Sequence, residues 1–114
     1  MKISHFTEIE EQPVDDANVS GVSKRILISA GDNAPNFTMR LFHVDPGGYT
    51  YNHSHDFEHE VFVIEGEGEV VTPAGSTPFK SGFAIFVEPN EIHQFRNTGQ
   101  TRLSFLCLVP NRAA

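Results

Sequence analysis

Four histidines are the residues of this chain best suited to chemistry. His53, His55 and His59 lie close together, and His93 follows a later turn. His53 and His55 are two positions apart, the period of a β-strand, so their side chains project to one face. Buried without partners, such imidazoles would leave nitrogens unpaired at about 1–3 kcal/mol each. We therefore predict one divalent metal ion bound by these four residues, with a cluster satisfied by water and carbonyl groups as the alternative.

The segments that must position these histidines are predicted to be β-strands. Helix signals are nearly absent, and the segment FTEIEEQPVDDA is too short and proline-broken for more than a turn. Many short β-branched and aromatic runs with regular turns favour a sandwich or closed barrel. The predicted strands are 23–29, 37–44, 49–52, 59–65, 68–72, 83–87, 93–96 and 102–108. The intervening turns are AGDNAPN, DPGG, EGEG, PAGSTP, EPNE and NTGQ.

Alternation along the strands predicts which side chains face inward. In the last strand, one face is uniformly apolar and contains Leu103, Phe105, Cys107 and Val109. The same alternation places His59 with two valines, and His93 with a phenylalanine. We therefore predict a pocket beside the histidines that is lined by Val61, Val63, Phe95, Phe105 and Cys107. By default Cys107 is a small packed thiol, with a sulfur close to a redox metal as the alternative interpretation.

Polar side chains near this pocket are few. Tyr51 has the same parity as His53 and His55, so its hydroxyl approaches the histidines if that face points inward. Arg40 lies on a neighbouring run, where parity leaves both faces open. Tyr51 and Arg40 are thus the candidate catalytic residues, and the metal with its bound water or oxygen is expected to carry most of the chemistry.

Two motifs resemble those of the cupin superfamily. GGYTYNHSHDFEHEVFVIEG resembles the first motif, G-x5-H-x-H-x3-E-x6-G, with His59 where glutamate is usual. GFAIFVEPNEIHQFRN resembles the second, G-x5-P-x-G-x2-H-x3-N, with Glu88 in place of proline and Asn90 in place of glycine. Asparagine tolerates the left-handed turn conformation better than other non-glycine residues. The resemblance covers about residues 21–110.

The resemblance implies an antiparallel double-stranded β-helix, the jelly-roll barrel of cupins. It also implies that His59 completes the ligand set of the small single-domain, four-histidine cupins. Phrases such as APNFTMRLFHVDPGG resemble a manganese-binding member, so manganese is expected first and iron next, with nickel, zinc or copper possible. Cupins of this size commonly pair through an early strand, which implies a homodimer.

Composition limits the other possibilities. The 114 residues fit a single domain, 1–114, with an N-terminal arm over 1–18. The net charge of −7 argues against nucleic acid or an anionic membrane as partner. We expect no signal peptide and no transmembrane segment. The single cysteine suits a reducing cytoplasm.

Three functions follow as hypotheses. The first is a dioxygenase-like, metal-dependent oxidoreductase that acts on a small apolar or enolisable substrate. The second is a non-redox isomerase or lyase-type cupin acting on a sugar acid, although inward polar residues for sugar hydroxyls are scarce. The third is a small-molecule-binding cupin without catalysis. The sequence does not name the substrate.

Overall fold

The computed structural model describes residues 1–113, which form nine strands and three short 3-10 turns. The turns are Phe6–Glu8, Ala30–Asp32 and Asn111–Ala113. The strands are β1 (Gln12–Pro13), β2 (Ser20–Ile28), β3 (Phe37–Tyr49), β4 (His59–Glu65), β5 (Glu67–Thr72), β6 (Gly75–Lys80), β7 (Ala84–Val87), β8 (Gln94–Asn97) and β9 (Leu103–Pro110).

The strands form one curled antiparallel sheet. Its order is β6-β5-β8-β3-β9-β4-β7, and β2 joins it through β3 while β1 pairs with β2. Strand β3 pairs with β2 and β9 along its first half and with β8 at its end, so it passes from one side of the barrel to the other. The predicted all-β, jelly-roll architecture is confirmed.

The predicted inward faces form the core. On β9, Leu103, Phe105, Cys107 and Val109 are all buried, as the alternation requires. On β4, the histidine and the two valines of one face are buried, whereas Glu60, Phe62 and Ile64 are exposed. The remaining core residues come from the other strands: Val22, Val44, Phe79, Val87 and Phe95.

Strand β3 differs from the prediction. The segment DPGG was predicted to be a turn before a separate strand at 49–52, but β3 continues to Tyr49. Its pairing with β9 ends at Val44, and its register with β2 slips before Tyr49, so the DPGG segment is a bulge. Gly47 has a φ of +79°, and a Cβ at Gly48 would lie 2.5 Å from the Ser20 carbonyl oxygen. Bulges accept proline and glycine for these reasons.

Strand β6 was missed. The segment PAGSTP was predicted to be a turn, but only Pro73 and Ala74 connect β5 to β6. Glycine, serine and proline are poor strand formers. Strand β6 lies at the edge of the sheet, where Pro78 can be tolerated without donating a ladder hydrogen bond.

The N-terminal segment packs against the barrel through polar contacts. The Arg25 guanidinium donates to the carbonyls of Phe6 and Ile9. The Glu11 carboxylate accepts from Arg102 at 2.6 Å and from Arg25 at 3.2 Å. Strand β1 then pairs antiparallel with β2, which adds one short strand to the sheet. No helix among residues 1–113 has the length and apolar character needed to cross a bilayer.

Candidate metal centre

The four predicted histidines converge. One ring nitrogen from each of His53, His55, His59 and His93 lies within 4.8 Å of the corresponding atoms of the others. His59 begins β4, and His53 and His93 form an isolated β-bridge. His55 lies in the loop that connects His53 to β4. That loop is fixed by Asn90, whose N–H donates to the His55 carbonyl at 2.6 Å. Asn90 has a φ of +69°, the left-handed conformation expected of a residue in the glycine position.

Contacts of the Nδ1 atoms orient three of the imidazole rings. The Nδ1 atoms of His55 and His93 lie 2.7 and 2.8 Å from the carbonyl oxygens of Phe57 and Glu91. A carbonyl oxygen only accepts, so each Nδ1 carries the proton and each Nε2 keeps its lone pair. The Nε2 atoms of His55 and His59 are 2.6 Å apart. His59 Nδ1 lies 2.9 Å from Cys107 Sγ. Metal-ligating histidines ordinarily donate their second ring N–H to a backbone carbonyl, as His55 and His93 do here.

Burial favours the neutral form of His53, His59 and His93. Desolvation, followed by the neighbouring imidazoles and Arg40, lowers the pKa of His53 to about 4 and that of His59 to about 3. The pKa of His93 is also lowered by burial, partly opposed by its hydrogen bond to the Glu91 carbonyl. His53 keeps an exposed edge, so water moderates its shift more than at buried His59. Neutral imidazole is the form that binds metal.

The donor set fits a divalent transition metal. Imidazole nitrogens bind such ions at about 2.0–2.1 Å, so two ligands on opposite sides would be about 4.2 Å apart. A spread of 4.8 Å among the four nitrogens is comparable with that distance. Imidazole suits zinc, copper, iron and nickel, so the ligands alone do not select one ion.

A cavity of about 220 Å³ adjoins the histidines. Of the predicted pocket residues, Phe95, Phe105 and Cys107 line it, and the two phenylalanine rings are 5.1 Å apart. Val61 and Val63 do not line it, which corrects the prediction. Both valines are buried in the core, because sharing the parity of His59 places them inside the barrel but further along β4.

Both polar candidates line the cavity. Tyr51 stacks on His53 with ring centroids 5.4 Å apart, and its hydrogen bond to Asp16 raises its pKa. Arg40 faces inward. Alternation along the strand had left both of its faces open. Its Nη2 donates to Cys107 Sγ at 3.3 Å, and its guanidinium lies 4.9 Å from the centre of the Phe42 ring.

Several lining residues were missed. Phe57 stacks on His55 with ring centroids 3.9 Å apart and an interplanar angle of 4°. Its place between two ligands in HDFEH could have indicated this. Lys24 could have been found from its parity with Val22 on β2. The other missed lining residues are Val14, Val19, Val22, Phe42, Thr50 and Ala113. No local pattern marked the terminal segments that contribute Val14, Val19 and Ala113.

Comparison with known proteins gives close structural and sequence relatives. The polyketide cyclase RemF from Streptomyces resistomycificus superposes with a TM-score of 0.92 at 32% identity, over 97% of this chain and 80% of that one. An oxalate-binding protein of Thermotoga maritima is 34% identical over 65 residues, which are 56% of this chain and 54% of the relative. A 1-methylthio-D-xylulose 5-phosphate methylsulfurylase of Rhodospirillum rubrum is 27% identical over 88 residues, which are 77% of this chain and 55% of the relative.

The chain spans about half the length of these two curated relatives. The profile described as the cupin domain matches residues 40–109, which contain both histidine motifs and most of the barrel. Fold, histidine positions and profile agree, and this chain is a member of the cupin domain family.

Proposed function

We propose that this chain is a mononuclear metal enzyme that acts on a small enolisable carbonyl compound without net oxidation, by cyclisation or isomerisation. The observation that carries the proposal is the four-histidine cluster beside an apolar cavity. A divalent ion held by His53, His55, His59 and His93 would supply a Lewis acid whose charge no anionic ligand reduces. Manganese is the first expectation for that ion and iron the second.

One relative supports this substrate class. The likeness to a polyketide cyclase extends over nearly the whole chain, and that name supports cyclisation of a polyketide-like compound. The likeness to an oxalate-binding protein supports only the small size and the carboxylate oxygens of a ligand, because oxalate has no α-hydrogen and cannot enolise. The cavity, at about 220 Å³, is larger than the roughly 150 Å³ apolar cavity that accepts benzene, so it suits one substituted ring.

The cavity residues would bind and orient the substrate. Phe95 and Phe105 form an aromatic wall that would hold a planar substrate and exclude water. The Tyr51 hydroxyl is protonated at neutral pH, as is usual for tyrosine, and its hydrogen bond to Asp16 raises its pKa further. Burial raises the pKa of Cys107, so it serves as a thiol partner of His59. Arg40 would stabilise negative charge that develops on a substrate oxygen.

A dioxygenase-like oxidoreductase is the second candidate. The observation that favours it is the largely apolar lining beside four uncharged ligands, which suits an apolar enolic substrate together with dioxygen. A sugar-acid isomerase or lyase has less support, because few lining side chains could bind hydroxyl groups. Binding without catalysis would leave the site intact and produce no turnover.

One experiment separates these functions. The metal-loaded protein is incubated with a linear diketone, either neutral or carrying a terminal carboxylate, that can close a six-membered ring by intramolecular aldol condensation and loss of water. We expect the cyclic enone without oxygen uptake, and no product with His53→Ala. The matched control is Glu60→Ala, which changes an exposed residue beside His59. Oxygen uptake would favour the dioxygenase, and no turnover of any enolisable compound by fully loaded protein would contradict both.

We also propose that two copies associate, through the outer face of β4 and β7 in place of the early strand that the resemblance implied. The outer face of β4 and β7 exposes Phe62, Ile64 and Phe86 at 47%, 48% and 60%. Contiguous exposed apolar faces usually mark contacts with another chain. The single cysteine is a buried free thiol, which supports the proposal that this homodimer is cytoplasmic.

A further inference from the structure

The charged side chains that line the cavity, leaving aside the histidines, are both basic. Among residues 1–113, no aspartate or glutamate lines the cavity, although the chain contains 15 acidic and only 8 basic residues. Two of the basic residues, Lys24 and Arg40, do line it. Lys24 pairs with Phe42 and Arg40 with Ile26 across β2 and β3, so they are diagonal neighbours on one face.

Neither cation has an anionic partner within the described chain. Four other basic residues form ion pairs with carboxylates: Lys2, Arg25, Arg102 and Arg112. Lys80 and Arg96 are exposed to water instead. Lys24 and Arg40 are half-buried and form no ion pair with any carboxylate of residues 1–113. Partial burial removes some of the water around a cation, so an anion that meets it there gains more than it would at a fully exposed lysine or arginine.

Arg40 is held in place with hydrogen-bonding capacity to spare. Phe42 lies against its guanidinium, and Cys107 Sγ accepts from Nη2. Its Nε is buried and has no hydrogen-bond partner. A guanidinium fixed on an aromatic ring, with N–H groups unused, is arranged to bind a carboxylate.

We propose that Arg40 and Lys24 form an anion subsite, and that the cavity selects small apolar carboxylates over their uncharged analogues. This inference rests on the proposed function and names its substrate class. The carboxylate would meet the two cations while the apolar body lies against Phe95 and Phe105. A ligand without an acidic group would leave both charges without an anionic partner.

The test compares benzoate with benzamide, which have the same shape and differ in charge. Calorimetric titration is performed on metal-loaded protein and on protein stripped by chelation. We expect benzoate to bind at least about tenfold more tightly in both forms, from one charge-assisted hydrogen bond. Arg40→Gln should remove most of this preference and Lys24→Gln part of it. Arg96→Gln and Lys80→Gln are the matched controls and should retain it.

Three results would overturn the anion subsite. They are equal affinities for the two probes, no binding of benzoate at millimolar concentration, and a preference that needs metal but survives Arg40→Gln. The last result would mean that the metal alone binds the anion. If Arg40→Gln does not fold, as judged by its thermal transition, Lys24→Gln still tests the subsite. An unchanged preference for benzoate in that variant would count against it. A preference for benzoate in metal-free protein supports the anion subsite even if no diketone is turned over. Failure of the anion subsite can therefore be distinguished from failure of the proposed function.

Discussion

His53 and His93 are joined through their backbones. The His53 N–H donates to the His93 carbonyl at 3.2 Å, and the His93 N–H donates to the His53 carbonyl at 3.0 Å. Residues 40 positions apart in sequence are therefore held in register as a β-bridge. Because this bridge joins the two histidine motifs, the backbone, rather than side-chain rotamers alone, brings the ligands together. The site is largely preorganised before any ion binds.

Metal binding should stabilise the fold. An ion that binds the folded chain and not the unfolded chain shifts the unfolding equilibrium by mass action. We expect chelation to lower the melting temperature of the wild-type protein, and His93→Ala to abolish the difference between chelated and metal-loaded samples. Scanning calorimetry measures both, and His5→Ala, at an exposed histidine outside the cluster, should retain the difference. An unchanged melting temperature after confirmed metal loss would argue against the site.

The metal-free protein should lose stability in acid. Burial lowers the folded-state pKa of His53 to about 4 and that of His59 to about 3, from an ordinary value of 6.5. Between these values the unfolded chain binds more protons than the folded chain, so stability falls as the pH falls. The stability contributed by these neutral histidines should be fully present above pH 6.5 and should decrease from there toward pH 3. Urea unfolding of stripped protein across this range measures it, and His53→Gln should flatten the dependence. A stability that is constant from pH 7 to 4 would disagree with neutral buried imidazoles.

Cys107 should act on metal affinity through His59. Its Sγ lies 2.9 Å from His59 Nδ1 and orients the ring. Loss of such an outer contact typically weakens metal binding by about 10–100-fold. We expect Cys107→Ala to weaken metal binding by this factor and Cys107→Ser to restore part of it, because serine retains a hydrogen-bonding group. Competition with a chromogenic chelator gives the dissociation constants. Equal affinities in wild type and Cys107→Ala would mean that His59 needs no such partner.

The outer face of β4 and β7 should control association. Phe62 and Phe86 are large, exposed and on neighbouring strands. We expect a dimer mass by light scattering at micromolar concentration, and a monomer mass for the double variant Phe62→Asp, Phe86→Asp. Because both residues are exposed, the variant should fold. Lys80→Asp, at an exposed position on the edge strand, is the control. A monomeric wild-type protein would refute the homodimer.

The sequence predicted the parts of this structure that depend on alternation and on spacing. The period of two placed the apolar side of β9 and His59 of β4 correctly, because one buried face fixes the register. Motif spacing identified the four histidines. It could not identify β6, whose Gly75 and Pro78 have low strand propensity and are tolerated only because the strand is at an edge. The inward position of Arg40 and the part played by Val14 in the cavity depend on tertiary packing, which no local pattern encodes.

The most direct test is elemental analysis of the purified protein beside His59→Ala and Glu60→Ala. His59 is buried within the cluster, whereas Glu60 is the next residue of β4 and is exposed on the opposite face. We expect about one transition-metal ion per chain in the wild type, loss of that ion in His59→Ala, and its retention in Glu60→Ala. Absence of metal from all three proteins after reconstitution, or equal metal content in His59→Ala and wild type, would contradict this expectation.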